Sequence, residues 1–276
     1  VSEAGVPGGT PCHRCGGGGF YYDPQIEVGR HGELKICTCV EAQCRCGGRP
    51  PFYFWDDQAR NQRCPCWPAR RGLVELKRLF READVPERYR WKFLGDFHAT
   101  TPEGSLVRIA QDARLYVSTL TDTDREPERG FLLHGRPGTG KTLLGCIMLN
   151  ELILNRHRPG RFLNLSKYLQ QLRDTYSEES EHYGQTWRII ESLGKVPYLV
   201  IDDFGVQRGT EWAKEVLYDL VDTRYAEKRF TVITTNQPLG ELQQLSQGRI
   251  YSRLLEMCRL VEMEGEDFRQ HLQPKV

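Results

Sequence analysis

Long apolar runs are missing from this chain. No stretch approaches the roughly 18 apolar residues of a membrane helix, and mean hydropathy over the 276 residues is −0.56. An excess of one charge is missing too. With 38 Lys and Arg against 37 Asp and Glu, the formal net charge is +1, so bulk electrostatics favour no polyanion and any nucleic-acid contact needs a local patch. Residues 1–9 have neither a basic start nor an apolar core, so they do not read as a secretion signal. They read as part of a flexible leader over 1–11, and the absent initiating Met as trimming or an alternative start codon. Together these absences point to a cytoplasmic protein with no membrane partner.

Cysteine is plentiful but confined. Eight of the ten cysteines lie between Cys12 and Cys66, in the doublets Cys12-x-x-Cys15, Cys37-x-Cys39, Cys44-x-Cys46 and Cys64-x-Cys66. In a reducing compartment doublets favour metal over disulfides, and eight thiolates suit two tetrahedral Cys₄ zinc sites. An iron–sulfur cluster and a redox role are the weaker alternatives. The module is duplicated: Cys15-Gly16-Gly17, Phe20-Tyr21-Tyr22 and Cys37-Thr38-Cys39 correspond to Cys46-Gly47-Gly48, Phe52-Tyr53-Phe54 and Cys64-Pro65-Cys66. Each half reads as a ribbon of knuckle, aromatic strand, returning strand and second knuckle. The repeat favours sequential pairing, Cys12/Cys15/Cys37/Cys39 and Cys44/Cys46/Cys64/Cys66, over a nested scheme in which the middle doublets share a metal. A segment this short buries too little apolar surface to fold alone, so metal binding would supply its folding energy. His13 is a bystander, and Cys146 and Cys258 read as buried thiols.

Ribbons of this size usually dock something. Arg14, Arg30, Arg45, Arg49, Arg60 and Arg63, interleaved with Tyr21, Tyr22, Phe52, Tyr53, Phe54 and Trp55, suit a protein-docking surface. The mixture also suits stacking on single-stranded nucleic acid, or a mini-core with a solvated rim. After this module (12–68), residues 69–84 read as a linker helix with Leu73, Leu76, Leu79 and Phe80 on one face, ended by Asp84-Val85-Pro86.

The third part, 85–276, carries the chemistry. Gly135-Arg136-Pro137-Gly138-Thr139-Gly140-Lys141-Thr142 fits G-x-x-x-x-G-K-[ST]. Its glycines let successive N–H groups face phosphate oxygens, Lys141 reaches the β- and γ-phosphates, and the Thr142 hydroxyl joins the Mg²⁺ shell. Phe131 to His134 reads as a buried strand before the loop. Leu143, Leu144, Ile147, Met148 and Leu152 repeat at helical spacing behind it, so a helix N-terminus faces the anion. A strand at 161–165 and a helix through Leu172, N-capped by Ser166, follow, then a polar loop over 177–184 and a helix over 186–193. Tyr198 to Asp203 is an apolar strand ending in two acids, a Walker B pattern. Asp202 would hold Mg²⁺ through water and Asp203 would orient the attacking water. A helix over 210–228, a strand over 230–235 ending at Asn236, a basic helical turn from Arg249 to Glu256 and a strand over 259–264 complete the reading. N-K-x-D is absent, so ATP is preferred to GTP.

In this order and spacing the loop, the Asp-Asp strand, the Thr234-Thr235-Asn236 strand and Arg249-x-x-Ser252-Arg253 resemble AAA+ ATPases. Val85-Pro86-Glu87-Arg88-Tyr89-Arg90, Asp202-Asp203-Phe204-Gly205 and Ser252-Arg253-Leu254-Leu255-Glu256 narrow the likeness to the DnaC/DnaI helicase-loader and IstB transposition-helper branch. The resemblance implies an α/β core of parallel sheet flanked by helices, with no C-terminal lid, behind a duplicated zinc-ribbon module. It implies Asn236 as sensor 1, Arg253 as a finger acting in trans with Arg249 as a second candidate, and Arg269 as a weak substitute for a lid-borne arginine. It also places Lys167, Tyr168 and Arg173 near single-stranded DNA in an assembled spiral. The zinc module is similar to the helicase-docking region of DnaI-type loaders, where a single ribbon is usual. The implied function is ATP-dependent loading of a hexameric replicative helicase on single-stranded DNA by a homo-oligomer. A transposition helper acting on DNA and a transposase, or a non-hydrolysing adaptor, are the alternatives.

Overall fold

The computed structural model describes residues 12–24, 32–97, 105–121, 126–174, 186–205, 211–265 and 267. The leader, the loop expected over 177–184 and Arg269 lie outside them. The chain divides into two compact units, 1–78 and 79–276, and the division falls within one helix.

In the first unit β1 (Phe20–Asp23) and β2 (Glu33–Ile36) form an antiparallel ribbon with Tyr21 opposite Lys35. A short helix, α1 (Thr38–Glu41), leads to a second ribbon of β3 (Tyr53–Trp55) and β4 (Asn61–Arg63), in which Tyr53 faces Arg63. The apolar content is small: Val40, Cys64, Cys66 and Ala69 form the buried cluster, joined by Ile36, Phe52 and Phe54 at its edge. The helix α2 (Trp67–Glu82) then begins, and Leu76, Leu79 and Phe80 are buried as its periodicity predicts. It stops at Asp84, whose φ of 60° leaves the helical region.

The second unit is built on a five-stranded parallel sheet. Its helices and strands run α3 (Ser105–Thr121), β5 (Gly130–His134), α4 (Lys141–Arg156), β6 (Gly160–Asn164), α5 (Leu165–Asp174), α6 (Thr186–Lys195), β7 (Tyr198–Asp202), α7 (Glu211–Ala226), β8 (Phe230–Thr235), α8 (Leu239–Gln244), α9 (Arg249–Met257) and β9 (Cys258–Glu262). The strand order is β6-β7-β8-β5-β9. Strands β5, β7 and β8 are almost wholly buried, as expected of parallel strands covered on both faces. Leu132, Leu163, Leu199, Ile201 and Ile233 share a core with α5, α6, α7 and α9. The alternate residues Val200 and Val232 face α4, where a Cβ on Gly145 would meet Val200 at 3.2 Å. The chain leaves β5 for the far edge through α4 and returns to the other side of β5 as β9. That reversal opens a crevice at the carboxyl ends of the strands, where ligands bind in open α/β sheets.

Two local readings need correction. The cap of α5 is Asn164 rather than Ser166: the helix starts two residues earlier than the pattern suggested, and Asn164 Oδ1 accepts from Lys167 N–H at 3.2 Å. Tyr168 is buried in the core and cannot stack on DNA. The helix α3 and the short α8 had no counterpart in the reading of the sequence.

Arg224 was also unforeseen. It is fully buried in α7, and its guanidinium donates to the carbonyls of Leu193 (2.7 Å), Val196 (2.8 Å) and Phe230 (2.6 Å) and to Thr231 Oγ1 (2.9 Å). The Leu193 carbonyl lies in the last turn of α6, which has no helical donor, and a cation there meets the negative end of the helix dipole. Burial pulls the Arg224 pKa down from its ordinary value. Arg224→Met keeps the volume but strands these carbonyls. It should lower unfolding free energy by about 3 kcal/mol, within the range for unsatisfied buried groups, measured by urea denaturation; a loss below about 1 kcal/mol would refute the capping role.

Candidate nucleotide and metal sites

The loop between β5 and α4 wraps the N-terminus of α4. Gly140 caps that helix in the left-handed region (φ 90°), a conformation that favours glycine. Gly135 allows a close approach of another kind: a Cβ there would stand 2.3 Å from the Met263 carbonyl oxygen, because the chain after β9 runs beside the loop. Met263 N–H donates to His134 O at 2.7 Å in the same contact. Further along, Asp267 brings its carboxylate against Gly138, with Oδ1 1.9 Å from where a Cβ would be.

Lys141 is buried, and its ammonium donates to the carbonyls of Gly135 (2.8 Å) and Arg136 (2.6 Å) and to Thr139 Oγ1 (3.3 Å). The cation thus lies inside the curve of the loop. Thr139 Oγ1 in turn donates to the Arg136 carbonyl at 3.0 Å. A cation within a loop of left-handed glycines, at the open end of a helix, fits a polyphosphate.

Asp202, at the end of β7, is buried beside this loop. Its Oδ1 accepts from Thr142 Oγ1 at 2.8 Å and from Thr234 Oγ1 at 2.6 Å. Burial pushes the Asp202 carboxyl above the usual carboxylate range; the two hydroxyls oppose that, the Asp203 charge adds to it and Lys141 opposes it. A buried carboxylate and a hydroxyl from the loop fit Mg²⁺, a hard cation taking oxygen ligands. Asp203 has φ 58°, a left-handed position that Asp tolerates better than most residues, and its N–H donates to Thr234 Oγ1 at 3.2 Å. Asn236 follows β8 and is exposed, and Gln237 N–H donates to Thr235 Oγ1 at 3.0 Å.

Thr234 was missed in the sequence. The only available signal was its place on a strand two residues before Asn236, and its role needs the β7–β8 register. On α9, Arg253 donates to Asp222 Oδ1 (2.6 Å), Tyr218 Oη (3.0 Å) and the Arg249 carbonyl (3.1 Å). Arg249 is exposed above the Tyr218 ring. Lys167 and Arg173 are exposed on α5, with Arg173 stacked over Trp212.

In the first unit the thiols gather in chain order. Cys12, Cys15, Cys37 and Cys39 form one group and Cys44, Cys46, Cys64 and Cys66 the other, with the sulfurs of each group within 4.8 Å of one another. The S···S separations are 3.7 Å for Cys12–Cys37, Cys15–Cys39 and Cys44–Cys46, and 3.5 Å for Cys46–Cys66. Four thiolates at about 2.3 Å from Zn²⁺ in a tetrahedron would stand about 3.8 Å apart, so both groups could bind zinc. Backbone N–H groups of Arg14 and Cys15 pull the Cys12 thiol down to about 6, whereas burial and its sulfur neighbours push Cys39 up to about 12. Four thiols so close cannot all ionise without a cation among them.

These features agree with the comparisons. The family described as IstB-like ATP binding protein matches residues 107–275, more than half of the chain. The chain belongs to this family. It is therefore an ATP-binding AAA+ protein related to helicase loaders. It is 31% identical over 124 residues to the replicative helicase loader DnaC of Escherichia coli K12, covering 45% of this chain and 49% of that protein. The chain thus spans about half the length of the curated relatives it matches. The crystal structure of the DnaC helicase loader superimposes with a TM-score of 0.54 at 23% identity, over 65% of this chain and all of that one. That of DnaI gives 0.53 at 21% identity, over 70% and 100%. These likenesses establish the AAA+ fold. Among the described residues no helix is long and apolar enough to cross a membrane.

Metal analysis of the purified protein should find two zinc ions per chain. Changing Cys12, Cys15, Cys37 and Cys39 together to Ser should leave one ion bound; retention of none would indicate the nested pairing instead.

Proposed function

We propose that the protein is an ATP-dependent loader of the replicative DNA helicase. The supporting observation is the set Thr142–Asp202–Thr234 beside Lys141, in a chain that also carries two four-cysteine groups. The identity with a curated replicative helicase loader adds to it. The loop from Gly135 to Thr142 takes the triphosphate, with Lys141 turning from its own carbonyls to the β- and γ-oxygens. Thr142 and Asp202 hold Mg²⁺, which when bound draws negative charge from the phosphates. Asp203 orients the attacking water, and Asn236 lies between that water and the γ-phosphate. Asp203 is one methylene, about 1.5 Å, shorter than the Glu usual in relatives, so turnover is modest.

Arg253 acts in trans on a neighbour's site, with Arg249 as the second candidate. Within one chain Arg253 is tied to Asp222 and Tyr218, so its release belongs to assembly. Residues 12–68 form the zinc module that grips the helicase, 69–84 the connecting helix, and 85–276 the ATPase. ATPase domains assemble around single-stranded DNA near Lys167 and Arg173, and hydrolysis lets the loader leave. The setting is the cytoplasm. A second reading, a transposition helper acting on DNA and a transposase, is favoured by the description of the matching family; the cysteine module favours the loader.

Mass photometry of the zinc-loaded protein with its own organism's replicative helicase and ATP separates the two. A stoichiometric complex that is lost on deleting residues 1–66 supports the loader. No complex, with DNA-stimulated ATPase intact, moves the assignment to the helper. Lys141→Ala should weaken ATP binding by about tenfold or more, the scale of a lost charge-assisted contact. Arg253→Ala should spare binding but lower assembly-dependent hydrolysis by about 10³-fold, and unchanged turnover would remove the trans role.

A further inference from the structure

The two ribbons are duplicates in sequence but not in what they expose. In the first, the aromatic strand is consumed by packing. Phe20 lies against Gly72 of α2, where a Cβ would stand 2.9 Å from its ring. Tyr21 is half-buried beneath Arg14, whose guanidinium carbon is 4.2 Å from the ring centroid. Asp23 is buried in an ion pair with Lys35.

In the second ribbon Phe52 and Phe54 pack at the edge of the buried cluster, whereas Tyr53 and Trp55 face outward. Tyr53 is 40% and Trp55 71% exposed, and every residue of β4 is exposed. Tyr53 and Trp55 lie two residues apart on one face of β3. Their Cα atoms are therefore about 6.8 Å apart at a strand rise of about 3.4 Å per residue, room for one base between two rings. Guanidinium groups alternate with the rings. Arg63 donates to Tyr53 Oη at 2.8 Å and lies 4.3 Å over the Trp67 ring, Arg71 covers the same Trp67 at 5.2 Å, and Arg45 lies 5.2 Å from the Phe54 ring. Arg45, Cys46, Tyr53, Phe54, Trp55 and Asp57 also line a shallow hollow.

Two features decide what this face fits. Between Cys44 and Trp67 there is no Leu, Ile, Val or Met, so the face offers rings and guanidinium groups rather than aliphatic surface. The carboxylate of Asp56 is turned inward on its own hairpin, accepting from the N–H groups of Gln58 (3.0 Å) and Arg60 (2.9 Å) and from Arg60 Nε (3.1 Å). That leaves Arg45, Arg49 and Arg63 as exposed cations against the single exposed acid Asp57. Flat rings with a local excess of guanidinium suit bases and phosphates together.

We infer that the exposed face of the second ribbon, centred on Tyr53, Trp55 and Arg63, binds single-stranded nucleic acid. This site is separate from the ATPase domain and does not depend on the loader assignment. The first ribbon and the rest of the module remain for protein contacts.

The test uses the full-length, zinc-loaded protein without nucleotide, titrated into short fluorescent oligothymidylate and oligouridylate and followed by anisotropy. Trp55→Ala and Tyr53→Ala should each weaken binding by about tenfold or more, the scale of a lost base–aromatic stack. Arg63→Gln should reduce the salt dependence, the slope of log K against log salt, by about one. Equal binding of both oligomers means stacking and charge alone are read; preference for one names DNA or RNA, and either result supports the site. Two zinc ions per chain in each variant show that the ribbons remain folded. Unchanged oligonucleotide affinity in the Trp55 and Tyr53 variants overturns the inference. If those variants instead lose a partner helicase while keeping oligonucleotide, the face is a protein contact and the inference is equally overturned.

Discussion

The Asp202 carboxylate is held by two hydroxyls from distant parts of the chain, Thr142 in the first turn of α4 and Thr234 near the end of β8. Such a contact exists only where the strands end side by side. The helix after β5, the end of β7 and the end of β8 must meet in one crevice, which requires a parallel sheet with β8 between β7 and β5. Parallel pairing in turn requires crossovers, and the crossovers bring helices onto both faces. That is why β5, β7 and β8 are nearly continuous apolar runs rather than alternating ones. Burial raises the carboxyl pKa, and the hydroxyls and Lys141 counter it. The site is thus a buried anion kept in place by the sheet.

What was legible in the sequence was what is local. The loop from Gly135 to Thr142, the Asp-Asp strand and the cysteine doublets carry their chemistry in a few consecutive residues. Strand 230–235 was read to the residue because an apolar β-branched run has one sensible use in this context. Thr234 was not legible, since its hydroxyl matters only once β8 is beside β7. Tyr168 failed for the opposite reason: a tyrosine beside Ser166 and Lys167 looks accessible, yet its helical phase with Leu165, Leu169 and Leu172 turns it inward. Arg224 reads as a solvated charge on an amphipathic helix. Only the carbonyls of Leu193, Val196 and Phe230 and the Thr231 hydroxyl make its burial tolerable, through hydrogen bonds from a charged donor to electron-rich oxygens.

The two units rest on different physics. In the second, a core spread over the sheet and its helices suffices. In the first, the apolar cluster around the thiols is little more than Val40, Ala69 and cysteine side chains, with Leu34 and Leu76 buried besides; eight thiols in two tight groups make up much of the interior. A cation would be needed to hold them as thiolates, and its binding energy would become folding energy. Such a scaffold frees the aromatic residues of one ribbon from packing duty. The first ribbon uses its own against α2, and the second leaves Tyr53 and Trp55 in solvent, which a conventional core of this size could not spare.

Thr234 also constrains the second acid. Its hydroxyl donates to Asp202 and accepts from the Asp203 N–H, while Phe204 N–H donates to the Thr234 carbonyl at 2.9 Å and Thr235 Oγ1 to the Phe204 carbonyl at 2.7 Å. The backbone on either side of Asp203 is therefore pinned to β8, and those bonds hold its φ of 58°. A left-handed position tolerates Asp more readily than a longer, more entropic acid. The short acid and the turned backbone are thus one feature of the chain. In the proposed reaction a pinned, short carboxylate cannot advance on the water by moving the loop. Lys141 and Mg²⁺ would supply positive charge from within the crevice, and a cation from a neighbouring chain would add to the stabilisation of the transferring phosphoryl group. Because Arg253 is already neutralised by Asp222 within one chain, hydrolysis would be tied to assembly rather than to ATP binding alone.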